Sequence, residues 1–164
     1  MSEEMQSGNE KLLGKYLTFV LGTGEYAVEI LKIQQVIQPQ QITRLPRAPK
    51  FISGLINLRG KVIPVLNLHS KFNMTTTEET SKTCIVVVEI SDKDKHLIVG
   101  IIIDEIKEVM QVTKDMLTDT PDIGKSNSAK HIVGAVRIAG KVRFILDLDE
   151  ILNIDELEAL KKTL

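Results

Sequence analysis

An internal repeat is the feature that most constrains what this chain can fold into. Residues 52–68 return as residues 132–148 at an offset of 80, which brings Gly54 onto Gly134 and Gly60 onto Gly140. Residues 26–37 also align with residues 99–110, at an offset of 73. The chain is therefore built from two copies of one small unit, a pattern that favours paired modules sharing a common core.

The repeat predicts a single domain at 13–152 made of two duplicated units. Because a unit of about 60 residues is marginally stable alone, the two should share an apolar seam. The predicted segments are a flexible tail at 1–12, units at about 13–72 and 83–152, a linker at 73–82, and a C-terminal helix at 153–164.

Short strands with turn signals dominate both units. Gly22-Thr23-Gly24-Glu25 predicts a hairpin between two β-rich runs, and further hairpins should turn at Arg59-Gly60 and Ala139-Gly140. Residues 31–37 suit a helical turn as well as a strand. Pro64 lacks a backbone donor, so its strand is expected at a sheet edge or to begin there. These signals predict an all-β fold of two small antiparallel barrels packed together, with short helices.

Composition excludes several functional classes. A net charge of −1, 4% aromatic residues and no Trp provide neither a phosphate-binding surface nor stacking platforms for nucleic acid. The lone Cys84 cannot form an internal disulfide, no secretory leader is evident, and the longest apolar run, Leu97–Ile103, is too short to cross a bilayer. A soluble cytoplasmic protein is expected.

Candidate catalytic groups are sparse. The acidic residues fall beside turns and a helix start, where carboxylates are commonly solvated or serve as caps, and the histidines are expected at the surface, far from metal-ligand spacing. Cys84 opens an apolar strand, which favours a buried, inert thiol. We therefore expect no enzyme activity, metal or cofactor, although a hydrolase using Cys84 or the acidic clusters remains an alternative. The acidic residues in question are Asp104, Glu105, Glu108, Asp147, Asp149 and Glu150, and the histidines are His69, His96 and His131.

The two copies differ along their shared hairpin. Copy one has Ile63 and Pro64 where copy two has Arg143 and Phe144, and it has Arg59 at its tip. An apolar surface rimmed by a cation suits a helix-binding or subunit-binding patch. Packing of Ile63 and Val65 against the other barrel explains the same residues equally well.

The stretch Phe51–Val65 resembles the CheW family of bacterial chemotaxis coupling proteins. It contains the family's Gly-x-x-Asn-Leu-Arg-Gly-x-x-x-Pro signature in full, and the resemblance extends from about Tyr16 to Leu152. It implies two SH3-like five-stranded barrels with a hydrophobic groove between them. It also implies a non-enzymatic adaptor that couples methyl-accepting chemotaxis receptors to the histidine kinase CheA, or a scaffold of a chemosensory pathway with another output.

The resemblance also implies the partners and the residues that bind them. The helical tip of the receptor would dock in the groove, the regulatory domain of CheA would bind elsewhere, and the protein would be monomeric when free but join ring assemblies with CheA at membrane receptor arrays. At Gln35 this chain departs from the acidic residue often found in the family. The receptor-binding residues carried over are Ile33, Gln35, Val36, Gly54, Arg59, Cys84 and Val109, and the kinase-binding candidates are Pro64 and Gly140.

Overall fold

The computed structural model describes residues 12–118 and 132–161, which form eleven strands and three short α-helices. Apart from Leu12, the predicted tail lies outside the described residues, as do His131 and the last three positions of the predicted terminal helix. The strands are β1 (Gly14–Leu21), β2 (Gly24–Glu29), β3 (Ile33–Ile37), β4 (Ile52–Leu58), β5 (Lys61–Asn67), β6 (Cys84–Asp92), β7 (Lys95–Ile103), β8 (Glu105–Val112), β9 (Leu117–Thr118), β10 (Ile132–Ile138) and β11 (Lys141–Leu146). The helices are α1 (Leu68–Lys71), α2 (Leu148–Ile151) and α3 (Ile154–Lys161), with 3-10 turns at Ile30–Lys32 and Lys114–Met116.

The strands form two sheets, and the predicted all-β class of two packed barrels is confirmed. One sheet has six strands in the order β8-β1-β2-β11-β10-β9, and the other has five in the order β3-β6-β7-β5-β4. Paired strands are antiparallel except for one parallel pair in each sheet, β2 with β11 and β5 with β7. None of the helices in the described part of the chain is long and apolar enough to span a membrane.

The two barrels exchange strands, a point that the sequence left open. All strands of the five-stranded barrel lie within residues 33–103, whereas the six-stranded barrel combines β1 and β2 with β8 to β11. Each sequence unit therefore contributes its first hairpin to the barrel that contains the other unit's remaining strands. Within the described residues the chain crosses between barrels twice, at Ile30–Lys32 and at Asp104.

Alternation along the strands divides the apolar side chains between barrel interiors and a core common to both barrels. On β6, for example, Ile85 and Val87 face the interior of the five-stranded barrel, while Val86 and Val88 face the common core. We call this common cluster the shared core. Its buried members include Leu17, Phe19, Val28, Val86, Val88, Val99, Ile101, Leu146, Leu148, Ile151, Ile154 and Leu157.

The repeated hairpins turn where the sequence predicts. Arg59 and Gly60 have φ angles of 53° and 85°, and Ala139 and Gly140 have 50° and 81°. Two consecutive left-handed residues are typical of the tight turn that joins antiparallel strands. Both central residues of each turn, and not only the glycine, are therefore left-handed.

The structure corrects two expectations about the first hairpin. Pro64 is buried in β5, which lies between β7 and β4 rather than at an edge. Its missing donor is tolerated because pairing with β7 begins only at Val65. Ile63 and Val65 are 3% and 0% exposed and belong to the interior cluster of the five-stranded barrel. They therefore form neither an apolar outer face nor a contact with the other barrel.

Two further local expectations are resolved. Residues 30–37 form the 3-10 turn Ile30–Lys32 and then β3, so the ambiguous run is mostly strand. His69 is 2% exposed, so the prediction of a surface histidine is wrong there, whereas His96 is exposed. His69 is buried because acceptors face both of its ring nitrogens.

Candidate binding groove between the barrels

Two exposed valines extend the shared core toward solvent. Val36 on β3 pairs with Val86, and Val109 on β8 pairs with Leu17. Paired residues on neighbouring strands point to the same face, and both partners belong to the shared core. Val36 and Val109 are nevertheless 46% and 56% exposed, because β3 and β8 are the edge strands of their sheets. We interpret the two valines as the apolar walls of a candidate groove at the edge of the shared core.

The inner part of this groove is also apolar. Ile33, Cys84 and Ile106 are partly buried and pack against the shared core. Four of the seven predicted receptor-binding residues thus border the open side of one core: Ile33, Val36, Cys84 and Val109. We call these four residues, together with Ile106, the groove residues.

The groove residues follow the internal repeat. An offset of 73 relates Val36 to Val109 and Ile33 to Ile106. Three of these four positions are among the predicted receptor-binding residues, whereas Ile106 was not predicted, although the offset of 73 leads to it from Ile33. Because the repeat places equivalent side chains on both walls, the groove has approximate two-fold symmetry.

The other three predicted receptor-binding residues lie elsewhere. Gln35 pairs with Val87 and therefore faces the interior side of the five-stranded barrel. Gly54 is buried on β4, where an added Cβ would lie 2.2 Å from the carbonyl oxygen of Thr43. Arg59 is exposed in the turn that follows β4, and β4 is the edge strand at the other end of the sheet from β3. Gly54 thus has a structural reason that is independent of any partner.

The kinase-binding candidates differ in accessibility. Gly140 lies in the exposed turn between β10 and β11, beside the exposed Lys141. Pro64 occupies an interior strand and is buried. Only the turn presents a surface that a partner could contact without rearrangement of the barrel.

Cys84 is poorly suited to nucleophilic chemistry. Burial raises the pKa of its thiol, which lowers the thiolate fraction at neutral pH. It is half-buried at the start of β6 and packs against the shared core. Its surroundings favour a packing role in the groove over the hydrolase alternative.

Asp104 and Asp147 each act as a hydrogen-bond acceptor. Burial raises the pKa of Asp104, but hydrogen bonds donated by Thr77, His69 and the Gly22 amide outweigh it and lower the pKa below its ordinary value. Asp147 caps α2 by accepting hydrogen bonds from the amides of Asp149 and Glu150. Within residues 12–118 and 132–161, no three His, Cys, Asp or Glu residues cluster to hold a metal ion.

Comparison with known proteins agrees with this geometry. Residues 15–156 match the family model described as the CheW-like domain. The chain belongs to the CheW-like family. The sequence-based assignment is thereby confirmed, and the match covers both barrels and the start of α3.

The relatives match along most of their length. The chemotaxis protein CheW of Thermotoga maritima is 31% identical over 140 residues, which is 84% of this chain and 86% of that protein. The CheW of Helicobacter pylori is 30% identical over 151 residues, or 92% and 87% of the two chains. The crystal structure of the scaffolding protein TtCheW from Thermoanaerobacter tengcongensis superposes with a TM-score of 0.75 at 27% identity, covering 88% of this chain and 90% of that one.

Proposed function

We propose that this CheW-like protein is a non-enzymatic adaptor that couples methyl-accepting chemotaxis receptors to the histidine kinase CheA. Its family membership supports the adaptor role, since similar proteins are named chemotaxis protein CheW and, for TtCheW, scaffolding protein. The observation that carries the proposal is the open groove between the barrels, with exposed valines on both walls. An apolar groove of this kind suits the binding of an amphipathic segment.

An amphipathic helix is the occupant that best fits the groove. A helix is about 10 Å wide and presents apolar residues at intervals of three or four along one face. Such a stripe would cover Val36 and Val109 and contact Ile33 and Ile106 beneath them. The helical tip of a receptor provides this kind of surface. Arg59 lies at the β4–β5 turn and has no ion pair among the described residues, so its guanidinium is available to pair with a carboxylate of the assembly.

For the kinase contact, we propose the turn between β10 and β11. Gly140 is exposed there, and its neighbour Lys141 supplies charge at the same surface. The turn lies in the six-stranded barrel, so the kinase could bind while the groove stays free for the receptor. Pro64 is not part of the proposed kinase contact because it is buried. The protein would join receptor arrays through the groove, which binds the receptor, and the β10–β11 turn, which binds the kinase.

Charged substitutions at the groove valines test the proposal. We expect Val36→Asp and Val109→Asp to weaken co-sedimentation with receptor-containing membranes roughly tenfold or more, because each buries a charge against an apolar stripe. Val133→Asp is a matched control, since Val133 is also an exposed valine, at 43%, but lies on β10 away from the groove. All three variants should keep their fold.

Kinase autophosphorylation provides the second measurement. The unsubstituted protein should pellet with CheA and receptor membranes and raise kinase activity, and the groove variants should lose this effect while still binding CheA. Equal loss in Val133→Asp would remove the special role of the groove. Failure of the unsubstituted protein to pellet with any receptor membrane would contradict the proposed function.

A further inference from the structure

Both crossovers between the barrels are held by a carboxylate. The first crossover, Ile30–Lys32, leads from β2 into β3, and the second, Asp104, leads from β7 into β8. Asp149 binds the first crossover and Asp104 forms the second. Each carboxylate also accepts a backbone N–H from the end of a first hairpin, so each joins three segments of the chain.

Asp149 ties the first crossover to α2. Its Oδ2 lies 2.6 Å from Nζ of Lys32, and its Oδ1 accepts the amide N–H of Ser91 at 2.8 Å. The base of this bridge is fixed, because Asp147 caps α2 and the buried side chains of Leu148 and Ile151 anchor that helix in the shared core. Lys32 is the last residue before β3.

Asp104 ties the second crossover to α1 and the inter-unit segment. Its Oδ2 accepts the Gly22 amide at 2.7 Å and lies 2.9 Å from Nε2 of His69, while Oδ1 accepts the Thr77 hydroxyl at 2.6 Å. His69 is 2% exposed, and its Nδ1 lies 3.1 Å from Oδ1 of Asn67. Asp104 is the last residue before β8.

The two bridges occupy equivalent places in the repeat although their residues differ. Gly22 lies three residues beyond the pair Phe19–Tyr26, and Ser91 lies three residues beyond the equivalent pair Val88–Val99. One bridge has its carboxylate, Asp104, at the crossover and its nitrogen partner, His69, on α1. The other has its amine, Lys32, at the crossover and its carboxylate, Asp149, on α2. Two different sets of residues therefore hold two equivalent crossovers.

We propose that Asp104 and Asp149 are positioning residues that set the spacing of the groove walls. β3 and β8 start at the bridged crossovers and carry Val36 and Val109, so a shift at either joint moves one wall relative to the other. The shared core packs the two barrels together, and the two bridges restrain the chain at the points where β3 and β8 leave that core. The consequence for receptor binding rests on the proposed function, whereas the effect on wall spacing does not.

Distance measurements between spin labels test the spacing directly. Labels at Gln34→Cys on β3 and Gln111→Cys on β8 use exposed positions outside the groove residues, in a Cys84→Ser background. We expect Asp104→Ala and Asp149→Ala to widen the distance distribution roughly twofold or to shift its centre. Asp155→Ala is the matched control, because it removes the exposed ion pair of Lys95 and Asp155 without touching a crossover.

Conservative variants separate positioning from general destabilisation. Lys32→Arg should retain the narrow distribution, whereas Lys32→Met should widen it, and both should remain folded because Lys32 is partly exposed. If Asp104→Ala does not fold, Asp104→Asn and Lys32→Met still decide the question. Folded variants with unchanged distributions would overturn the inference.

Receptor co-sedimentation on the same variants keeps the two proposals apart. Widened distributions with roughly tenfold weaker receptor binding support both proposals. Widened distributions in a protein that never pellets with receptor membranes support the positioning role and contradict the proposed function. Narrow distributions in all bridge variants contradict the positioning role whatever the receptor result.

Discussion

The two barrels differ at three equivalent positions around one strand of each, of which Glu108 is more than half exposed. The offsets of the repeat relate Ile63, Ile98 and Gln35 in the five-stranded barrel to Arg143, Glu25 and Glu108 in the six-stranded barrel. Ile63 is 3% exposed in an apolar cluster against which Ile98 packs. The first set is therefore apolar apart from one amide, and the second is an ion cluster.

Arg143 is only 8% exposed, yet its charge is balanced. Its Nε lies 3.7 Å from a carboxylate oxygen of Glu25, and its Nη2 lies 3.7 Å from one of Glu108. In the described part of the chain, Nε and Nη1 are buried without a hydrogen-bond partner. A guanidinium so placed depends on nearby carboxylates, because an uncompensated buried charge costs several kcal/mol. Equivalent backbone positions in the two barrels thus hold either largely apolar side chains or a set of charged ones, and we infer that the three positions must change together.

The largest expected effect comes from moving the arginine alone into the other barrel. Ile63→Arg should lower the free energy of unfolding by about 4 kcal/mol, because Gln35 and Ile98 supply no carboxylate. Urea denaturation of the purified protein measures this change. The triple variant Ile63→Arg, Gln35→Glu, Ile98→Glu should recover at least about 1 kcal/mol of the loss. A single variant as stable as the parent would show that the two interiors are not distinct.

The equivalent glycines of β4 and β10 should give the next effect. A Cβ at Gly54 would lie 2.2 Å from the Thr43 carbonyl oxygen, and φ there is 148°, so Gly54→Ala should cost about 3 kcal/mol. At Gly134 the nearest atom is the end of the Leu12 side chain at 2.7 Å, which can move. We therefore expect Gly134→Ala to cost only about 1 kcal/mol. Equal changes in the midpoint of thermal unfolding would refute this ranking.

The contribution of Asp104, at the second crossover, to the free energy of unfolding should depend on pH. Its folded-state pKa is lowered below the ordinary value, so its contribution is present above its unfolded pKa and is lost as pH falls through the folded pKa. The stability difference between the parent and Asp104→Asn should thus be largest near neutral pH and shrink as the solution is acidified below the ordinary value of 3.8. Urea titrations at several pH values measure it, and a difference independent of pH would contradict the lowered pKa.

The smallest change in stability is expected at the first hairpin turn. Arg59→Ala makes this turn match Ala139-Gly140, where alanine already occupies a φ of 50°, so stability should change by less than about 0.5 kcal/mol. Receptor affinity should nevertheless fall by roughly 1 to 3 kcal/mol if the guanidinium meets a carboxylate in the assembly. Calorimetry and co-sedimentation test the two parts, and unchanged affinity in the folded variant would end the proposed role of Arg59.

Local features of the chain were predictable because they depend on neighbouring residues. The hairpin turn at Gly22 and the turns at Gly60 and Gly140 follow from residues that accept left-handed backbone. Pro64 was misplaced because its strand position depends on where β7 begins to pair, which lies more than thirty residues away in the chain. The same reason explains His69, whose burial depends on Asp104 rather than on its own segment.

The candidate groove was predictable only in part. Ile33, Val36, Cys84 and Val109 were carried over from the family resemblance, and the structure places all four around one core. Ile106 was missed even though the repeat offset leads to it from Ile33. Which valines remain exposed could not be predicted, since periodicity along β3 or β8 does not show which strands end at a sheet edge.

The amino-acid sequence alone predicts the duplication, the all-β class, the hairpin turns and the membership of the CheW-like family. These properties are encoded in local patterns and in the register between the two copies. The strand exchange between the barrels, the two carboxylates at the crossovers and the placement of Arg143 near Glu25 and Glu108 appear only in the folded protein. Those outcomes depend on pairings between distant segments, whose free energy is set by burial and charge partners that no local pattern contains.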